Sequence, residues 1–423
     1  IRITRIRIGT RMRRQPMLTG ATCNRCFRKT AKSWLTNVQR GPRERAGEIT
    51  NFGVRHMMNR LGKTFATITI GLGVVFSGSL ASAAKDYLLT GTKANQLVMV
   101  DTANRTVARV YDLPDAGPGP STITPSRDGK VAYVVINKWE SITGIDLDTG
   151  EQVFRADLSG GDERAKVFFG MDVSPDGKQL AVYVNSVRLG AGEYKVQPAR
   201  IDFFNLADGV GAEPVHSIPA PRQVTILMYA EDGSKLYAMG RALYEIDPKT
   251  GDVLKENKTQ TWDRENYSPP DILDVWSQFE QAGVFSTPYY AVRLDKDPMD
   301  PTAYITGMLT MDLGTGEFNL IDVENTDIFY FSSVVSPTNP NHAFGVYNNL
   351  SKLDIGEGKP LARVDLDHSY YDINISSDGK EVYLGGTLGD IAVYDTETLE
   401  KIGVIQMPGL ASQAISNLRV VQR

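Results

Sequence analysis

Cysteine is nearly absent from this chain of 423 residues: there are 2, Cys23 and Cys26, both near the start. As "CNRC" they lack the second pair, or the histidines, that a four-coordinate zinc site needs. Phe27 stands where a C-x-x-C-H haem attachment requires histidine. Everything after Cys26 therefore carries no disulfide, no thiolate ligand and no thioether link. Histidine is scarce too, with 4 in all, and none sits in an H-x-x-x-H or H-E-x-x-H pattern. The G-x-S-x-G elbow, the P-loop and the dinucleotide fingerprint are missing. Long apolar runs are missing as well, except one from Thr64 to Leu80.

That run belongs to a leader. Arg60 and Lys63 precede or open it, and Ala81-Ser82-Ala83 ends it with the small-x-small pattern that signal peptidase accepts. The run is short for a bilayer, so residues 57–83 read as a signal peptide, with Met57 or Met58 as the start and Ala84 beginning the exported protein. Residues 1–56 are Arg-rich and acid-poor and read as an unstructured upstream extension; no hydrophobic segment closely follows Arg13-Arg14, so a twin-arginine signal is not expected. Of the 46 Lys and Arg, 16 precede Ala84, but only 2 of the 50 acids do; 30 basic residues are left against 48 acidic, a net charge of about −18. So acidic a protein does not track nucleic acid phosphates and is repelled by anionic membranes.

The remaining stretch of about 340 residues exceeds the usual size of one hydrophobic core. Repetition resolves this. One phrase, strand, Asp, Thr-Gly turn, strand, recurs as "VMVDTANRTVARVYDL", "TGIDLDTGEQVFRADL", "IDFFNLADGVGAEPVHSI" and "LYEIDPKTGDVLKE", then as "TMDLGTGEFNLIDV", "SKLDIGEGKPLARVDL" and "AVYDTETLEKIGVIQM". A second phrase built on Asp-Gly precedes most copies, as in "SPDGKQLAVYVN" and "SSDGKEVYLGG". Both are hairpin signals between alternating apolar runs. Together they give a four-stranded antiparallel unit recurring every 40 to 65 residues or so, and seven units predict an all-β, seven-bladed β-propeller over residues 84–423. "KDYLLTG" at one end and "ISNLRVVQR" at the other are placed to complete one blade together and hide the sheet edges.

The fifth unit is irregular: some fifty residues, with a short helix expected around "PPDILDVWSQFEQ", separate "GDVLKE" from "LTMDLGTGE". A smaller excursion, "VRLGAGEYKVQPAR", interrupts the third. The glycines of "GGTLGD" make a turn between strands, and "DLDTGE" lacks the twelve-residue ligand pattern of an EF-hand.

The segments before each inner strand converge at one mouth of a propeller. They bring Arg164, Lys166, Phe168, Phe169, Arg222, Tyr289, Tyr290, Phe329, Tyr330, His368, Tyr370 and Tyr371 toward one place. An aromatic mouth with a few basic groups suits a small substrate or a docked subunit, and some of these rings pack between blades instead. His368 is the best-placed histidine, with an ordinary rim histidine as its plain alternative.

Several stretches are more specific than propeller punctuation: "DAGPGPSTITPS", "NKWESITGIDL", "VQPARIDFF", "APRQVTILMYA", "TPYYAVRLDKDPMDPTAYITGMLTMDLGTGE", "HSYYDIN" and "GGTLGDIAVYDTETLEK". From about Lys85 to Arg419 the chain resembles the β subunit of quinohemoprotein amine dehydrogenases. That resemblance implies a periplasmic αβγ heterotrimer that oxidatively deaminates primary amines to aldehyde and ammonia. It places cysteine tryptophylquinone in a small γ subunit and c-type haems in a di-haem α subunit that passes electrons to a soluble acceptor. This chain would carry no cofactor and no catalytic residue; it would seat γ and help enclose the amine pocket. A stand-alone exported propeller of YncE type, binding a ligand or a protein, is the alternative reading. A lactonase-type hydrolase ranks third, because the carboxylates fall mainly in hairpin turns.

Overall fold

The computed structural model describes residues 84–423 apart from 116, 277, 326–327 and 414–415. The expected upstream extension and signal peptide, and both cysteines, lie outside the described residues. The chain forms seven antiparallel sheets arranged as the blades of a β-propeller. Numbered in chain order, blade 1 contains Asp86–Thr92, Gln96–Asp101 and Thr106–Asp112, and its inner strand is the C-terminal Arg419–Gln422. The other inner strands are Ile123–Pro125, Met171–Val173, Ile226–Tyr229, Asp271–Ile272, Tyr330–Val335 and Asp372–Ile375. Among the described residues helix is confined to 3-10 turns such as Asn137–Trp139 and Pro301–Ala303.

Closure follows the expected route. Leu88 pairs with Val420 and Tyr87 with Val421, and Lys85 and Arg423 exchange backbone hydrogen bonds of 2.8 and 3.0 Å beyond the ladder. Each blade also hides both faces against its neighbours. Its middle strands are therefore buried almost throughout, as Leu97–Val100 and Leu236–Met239 are, and simple alternation survives only on outer strands such as Thr106–Asp112. The core is accordingly distributed as seven apolar clusters, one at each interface between successive blades. A fully buried Val, Leu or Phe in such a cluster contributes roughly 1.5–3 kcal/mol relative to exposure.

The repeated turns are held by their own side chains. Asp146 Oδ1 accepts from the N–H of Asp148 (2.9 Å) and Thr149 (2.7 Å), and Gly150 takes φ +84°, where a side chain is strained. Asp312 and Asp395 repeat the arrangement. In the second phrase Ser174 Oγ donates to Asp176 (2.6 Å) and accepts from the Gln179 N–H (2.9 Å).

An inner strand leaves one edge facing the central channel, and buried polar side chains cover it. Asn417 bonds both the N–H and the carbonyl of Ile123, at 2.8 and 3.0 Å. Asp172 accepts from the Tyr229 N–H at 2.8 Å, and Asp372 accepts from the Leu418 N–H. Burial pushes the Asp372 carboxyl well above the usual carboxylate range, against the pull of the Leu418 and Ile373 N–H groups and Arg419. These bonds stitch consecutive blades together.

The helix expected around residues 269–281 is not formed among the described residues. Pro269 and Pro270 lack donors, Asp271 and Ile272 form a two-residue strand, and the following side chains reach for separate partners.

Candidate functional site: an aromatic mouth over a filled channel

We call the end of the ring where the inner strands begin the upper mouth. Blade 5 shapes it most. Its inner strand stops after Ile272, and residues 273–283 turn into the channel. Asp274 accepts from Thr225 Oγ1 of blade 4 at 2.6 Å, and burial raises its carboxyl. Trp276 is 6 % exposed and faces rings of blades 3, 6 and 7. Gln278 is fully buried and donates to Asp372 of blade 7. Phe279 joins the interface of blades 4 and 5, and Glu280 pairs with Arg419 of blade 1. The Arg419 guanidinium also stands 5.5 Å from the Phe279 ring centroid. The segment thus crosses the channel and closes it, tied to the adjoining blades 7 and 1 by a hydrogen bond and an ion pair.

Above this plug lies a continuous belt of rings. Trp139 meets Phe168 edge-on at 4.9 Å, Phe168 lies 4.0 Å from Phe169, and Phe169 lies 6.4 Å from Trp276. Trp276 is 5.3 Å from Phe331, which stacks on Tyr371 at 4.4 Å. Tyr347 is 6.0 Å from Tyr371 and 5.1 Å from Phe329, which stacks on Tyr290 at 4.9 Å. Phe168 is 43 % and Phe329 39 % exposed, so the belt is an open apolar surface as well as a packed one.

Strand alternation sorts the expected residues. In "PYYAV", "IFYFS" and "SYYDI", Tyr290, Phe329 and Tyr371 join the belt, while Tyr289, Tyr330 and Tyr370 are buried between blades. Each buried tyrosine donates to a carboxylate that a second side chain also holds. Tyr289 bonds Asp322 (2.5 Å), which takes Arg264; Tyr330 bonds Glu324, which takes Arg363; Tyr370 bonds Asp390 (2.7 Å), which faces His368. Burial raises all three phenols. His368 is therefore part of a blade-7 lock, its two ring nitrogens 2.9 Å from Ser369 O and 3.1 Å from Asp390, with Tyr370 packed against it. Phe169 lies at the centre of the belt. Lys166 stands at its edge, Nζ 5.4 Å from the Trp139 ring centroid, and Arg164 and Arg222 are exposed on the rim beyond.

Trp139, Trp276, Phe331 and Tyr347 were not anticipated. Phe331 carries a usable signal, since it follows Phe329 by two along a strand. Trp276 carries none, because its place depends on a detour through the channel.

At the lower mouth, beneath the plug, a cavity of about 360 Å³ is lined by Arg127, Asp172, Tyr229, Glu231, Glu280 and Arg419, among others. Arg127 lies 3.3 Å from Asp172. Among the described residues no group of three or more His, Cys, Asp or Glu is placed to hold a metal ion.

No protein-family model matches the chain, and no curated protein matches it. Solved structures do. Hydrazine synthase of Kuenenia stuttgartiensis aligns at 14% identity over 74% of this chain and 90% of its own, with a TM-score of 0.51. A protein of unknown function from Desulfotomaculum acetoxidans aligns at 8% identity over 79% and 98%, with a TM-score of 0.52. Apo AztD of Citrobacter koseri aligns at 12% identity over 80% and 98%, with a TM-score of 0.47. At such identities the likeness concerns the fold alone.

Proposed function

We propose that this chain is the non-catalytic propeller subunit of an exported, periplasmic quinohemoprotein amine dehydrogenase, and that the aromatic upper mouth seats its quinone-bearing γ subunit. The observation that carries this reading is the belt from Trp139 to Tyr290, spread across a channel that residues 273–283 close from within. A through-channel would suit a ligand passing along the axis. A filled one with exposed rings above it offers a surface instead, and buried aromatic anchors dominate such docking energetics. The stretches that resemble the β subunit, "NKWES", "TPYYAVR" and "HSYYDIN" among them, supply the rings Trp139, Tyr290 and Tyr371.

The cofactors of such a complex belong to its other subunits. Residues 84–423 have no cysteine for a thioether, so neither the tryptophylquinone nor a c-type haem fits this chain. The chemistry of the quinone would lie in γ, and electrons would leave through the di-haem α subunit to a soluble acceptor. What this chain would contribute is exclusion of water: a desolvated aromatic wall would keep solvent out of the amine pocket beside the quinone-bearing subunit.

Reconstitution tests this. The purified chain alone is expected to show no quinone absorbance and no amine oxidation, and activity is expected only when the γ and α subunits are added. Phe331→Ala should weaken that association by tenfold or so, about 1.4 kcal/mol. Amine oxidation by the isolated chain would sink the reading. The alternative, a stand-alone YncE-type propeller that binds a ligand, draws on the polar cavity at the lower mouth. It predicts a chain that purifies without partners and whose ligand binding is lost in Arg127→Ala.

A further inference from the structure

The excursion in blade 3 is a built element. The second strand of that blade, Gln179–Leu189, overshoots the blade at the upper mouth, and its last residues are flanked by Glu163–Lys166 on one side and Tyr194–Val196 on the other. The result is a three-stranded flap standing at the rim. Asn185 pairs with Lys166, Val187 with both Arg164 and Val196, and Leu189 with Tyr194. Alternation therefore puts Lys166, Arg164, Val187, Val196, Leu189 and Tyr194 on one face. Tyr194 is 77 % exposed and Val196 58 %. That face is continuous with the aromatic mouth, because Lys166 donates to Lys138 O at 3.1 Å and stands over Trp139, which touches Phe168.

Two further features point outward. Gly190 donates to Glu193 O and Gln197 to Ser186 O, at 2.8 and 3.0 Å, so the N–H and C=O groups of Tyr194 and Val196, between these bonded positions, face away from the sheet. This edge is open to another strand. Charge gathers here as well. In a segment with a net charge of about −18, Arg164, Arg188, Lys195 and Arg222 cluster on and beside the flap, and none of them forms an ion pair among the described residues. Glu163 is taken by Arg200 at 2.8 Å; Asp162 and Glu193 are the other acids near the tip.

We infer that the flap is a clamp for the protein docked on the aromatic mouth: a carboxylate-bearing, extended segment of that partner adds as a strand along Tyr194–Val196, and its acids, alternating along that strand, meet Arg164 on the mouth-facing side and Arg188 and Lys195 on the other. This rests on the reading of the mouth as a subunit seat. Unpaired cations at the rim of an acidic body steer an acidic segment and fix its register, while the backbone edge and the apolar side chains hold it.

The test measures association of the full chain with the purified quinone-bearing and di-haem subunits at about 50 and about 300 mM salt, where screening of exposed charges differs strongly. Arg164→Glu/Arg188→Glu/Lys195→Glu is expected to weaken binding at least about tenfold at low salt and to flatten its salt dependence. Val196→Pro, which removes an outward N–H and the exposed valine side chain but no bond within the flap, is expected to weaken binding by about fivefold at either salt. Circular dichroism confirms that both variants fold. If both bind as the unmodified chain does while Phe331→Ala binds weakly, the flap proposal is overturned and the mouth reading stands. If Phe331→Ala binds normally, or the subunits do not associate at all, the mouth reading falls and the flap proposal with it.

Discussion

Blades 5 and 7 solve the same problem in different ways. Blade 7 presents an inner strand of four residues, Asp372–Ile375, whose Ile373 and Ile375 N–H groups are capped at 2.8 Å by the side chains of Asp372 and Asn374, which also reach Leu418 of blade 1. Blade 5 gives its inner position only Asp271–Ile272, and seals the channel with residues 273–283. The regular blade satisfies its backbone locally, by ladder and stitch. The irregular one depends on several other blades: Gln278 on Asp372, Glu280 on Arg419, Trp276 on Phe331 and Tyr371. The scaffold is thus a sum of neighbour contacts everywhere except at the plug, which couples blade 5 to blades 1, 6 and 7 at once. The aromatic mouth rests on that coupling.

The sharpest way to break the contrast is at Arg419. Arg419→Met leaves the Glu280 carboxylate buried without its ion-pair partner and is expected to cost about 3–5 kcal/mol in chemical denaturation. Adding Glu280→Gln should return part of that loss, and the double-mutant cycle measures how strongly plug and closing strand are coupled. If the two substitutions simply add, residues 273–283 are not tied across the ring. A smaller effect, about 2–4 kcal/mol, is expected for Trp276→Ala, since a large buried ring leaves a cavity at a mouth that can partly collapse. Its near-ultraviolet circular dichroism should change with it, because the ring links the two arms of the belt.

How much of this was legible in the sequence follows the same division. The hairpin turns were, because Asp146 and Ser174 bond within five residues of themselves. So was ring closure, because the two terminal strands stand out as unpaired. The mouth was half legible: convergence of the pre-strand segments brings Phe168, Phe169, Phe329 and Tyr371 together, and Tyr290 joins them from the second strand of blade 5, but beyond the bend that holds Phe168 and Phe169 two adjacent aromatics do not both face it. Tyr289, Tyr330 and Tyr370 went to carboxylates between blades, as period-two alternation demands. The plug was not legible. "PPDILDVWSQFEQ" reads locally as a helix, and only contacts distant in sequence, such as Asp274 with Thr225 and Gln278 with Asp372, draw it out into the channel.

The smallest effect sharpens the comparison from the other side. The outer hairpins of the two blades carry the same turn: Asp312 caps Gly314 and Thr315 as Asp395 caps Glu397 and Thr398. Asp395→Ala should cost about 1 kcal/mol at neutral pH, the usual worth of such hydrogen bonds. The Thr398 N–H holds the Asp395 carboxyl below its ordinary value of 3.8, so the folded form has the lower pKa. Its contribution is then fully present above about pH 5 and is lost as pH falls below about 4, where urea midpoints of variant and unmodified chain should converge. Asp312→Ala should match Asp395→Ala at neutral pH within about 0.5 kcal/mol, as independent sites with equal partners do. A clearly larger loss at Asp312 would mean that the plug strains blade 5 out to its third strand, and that the irregularity is not confined to the inner edge.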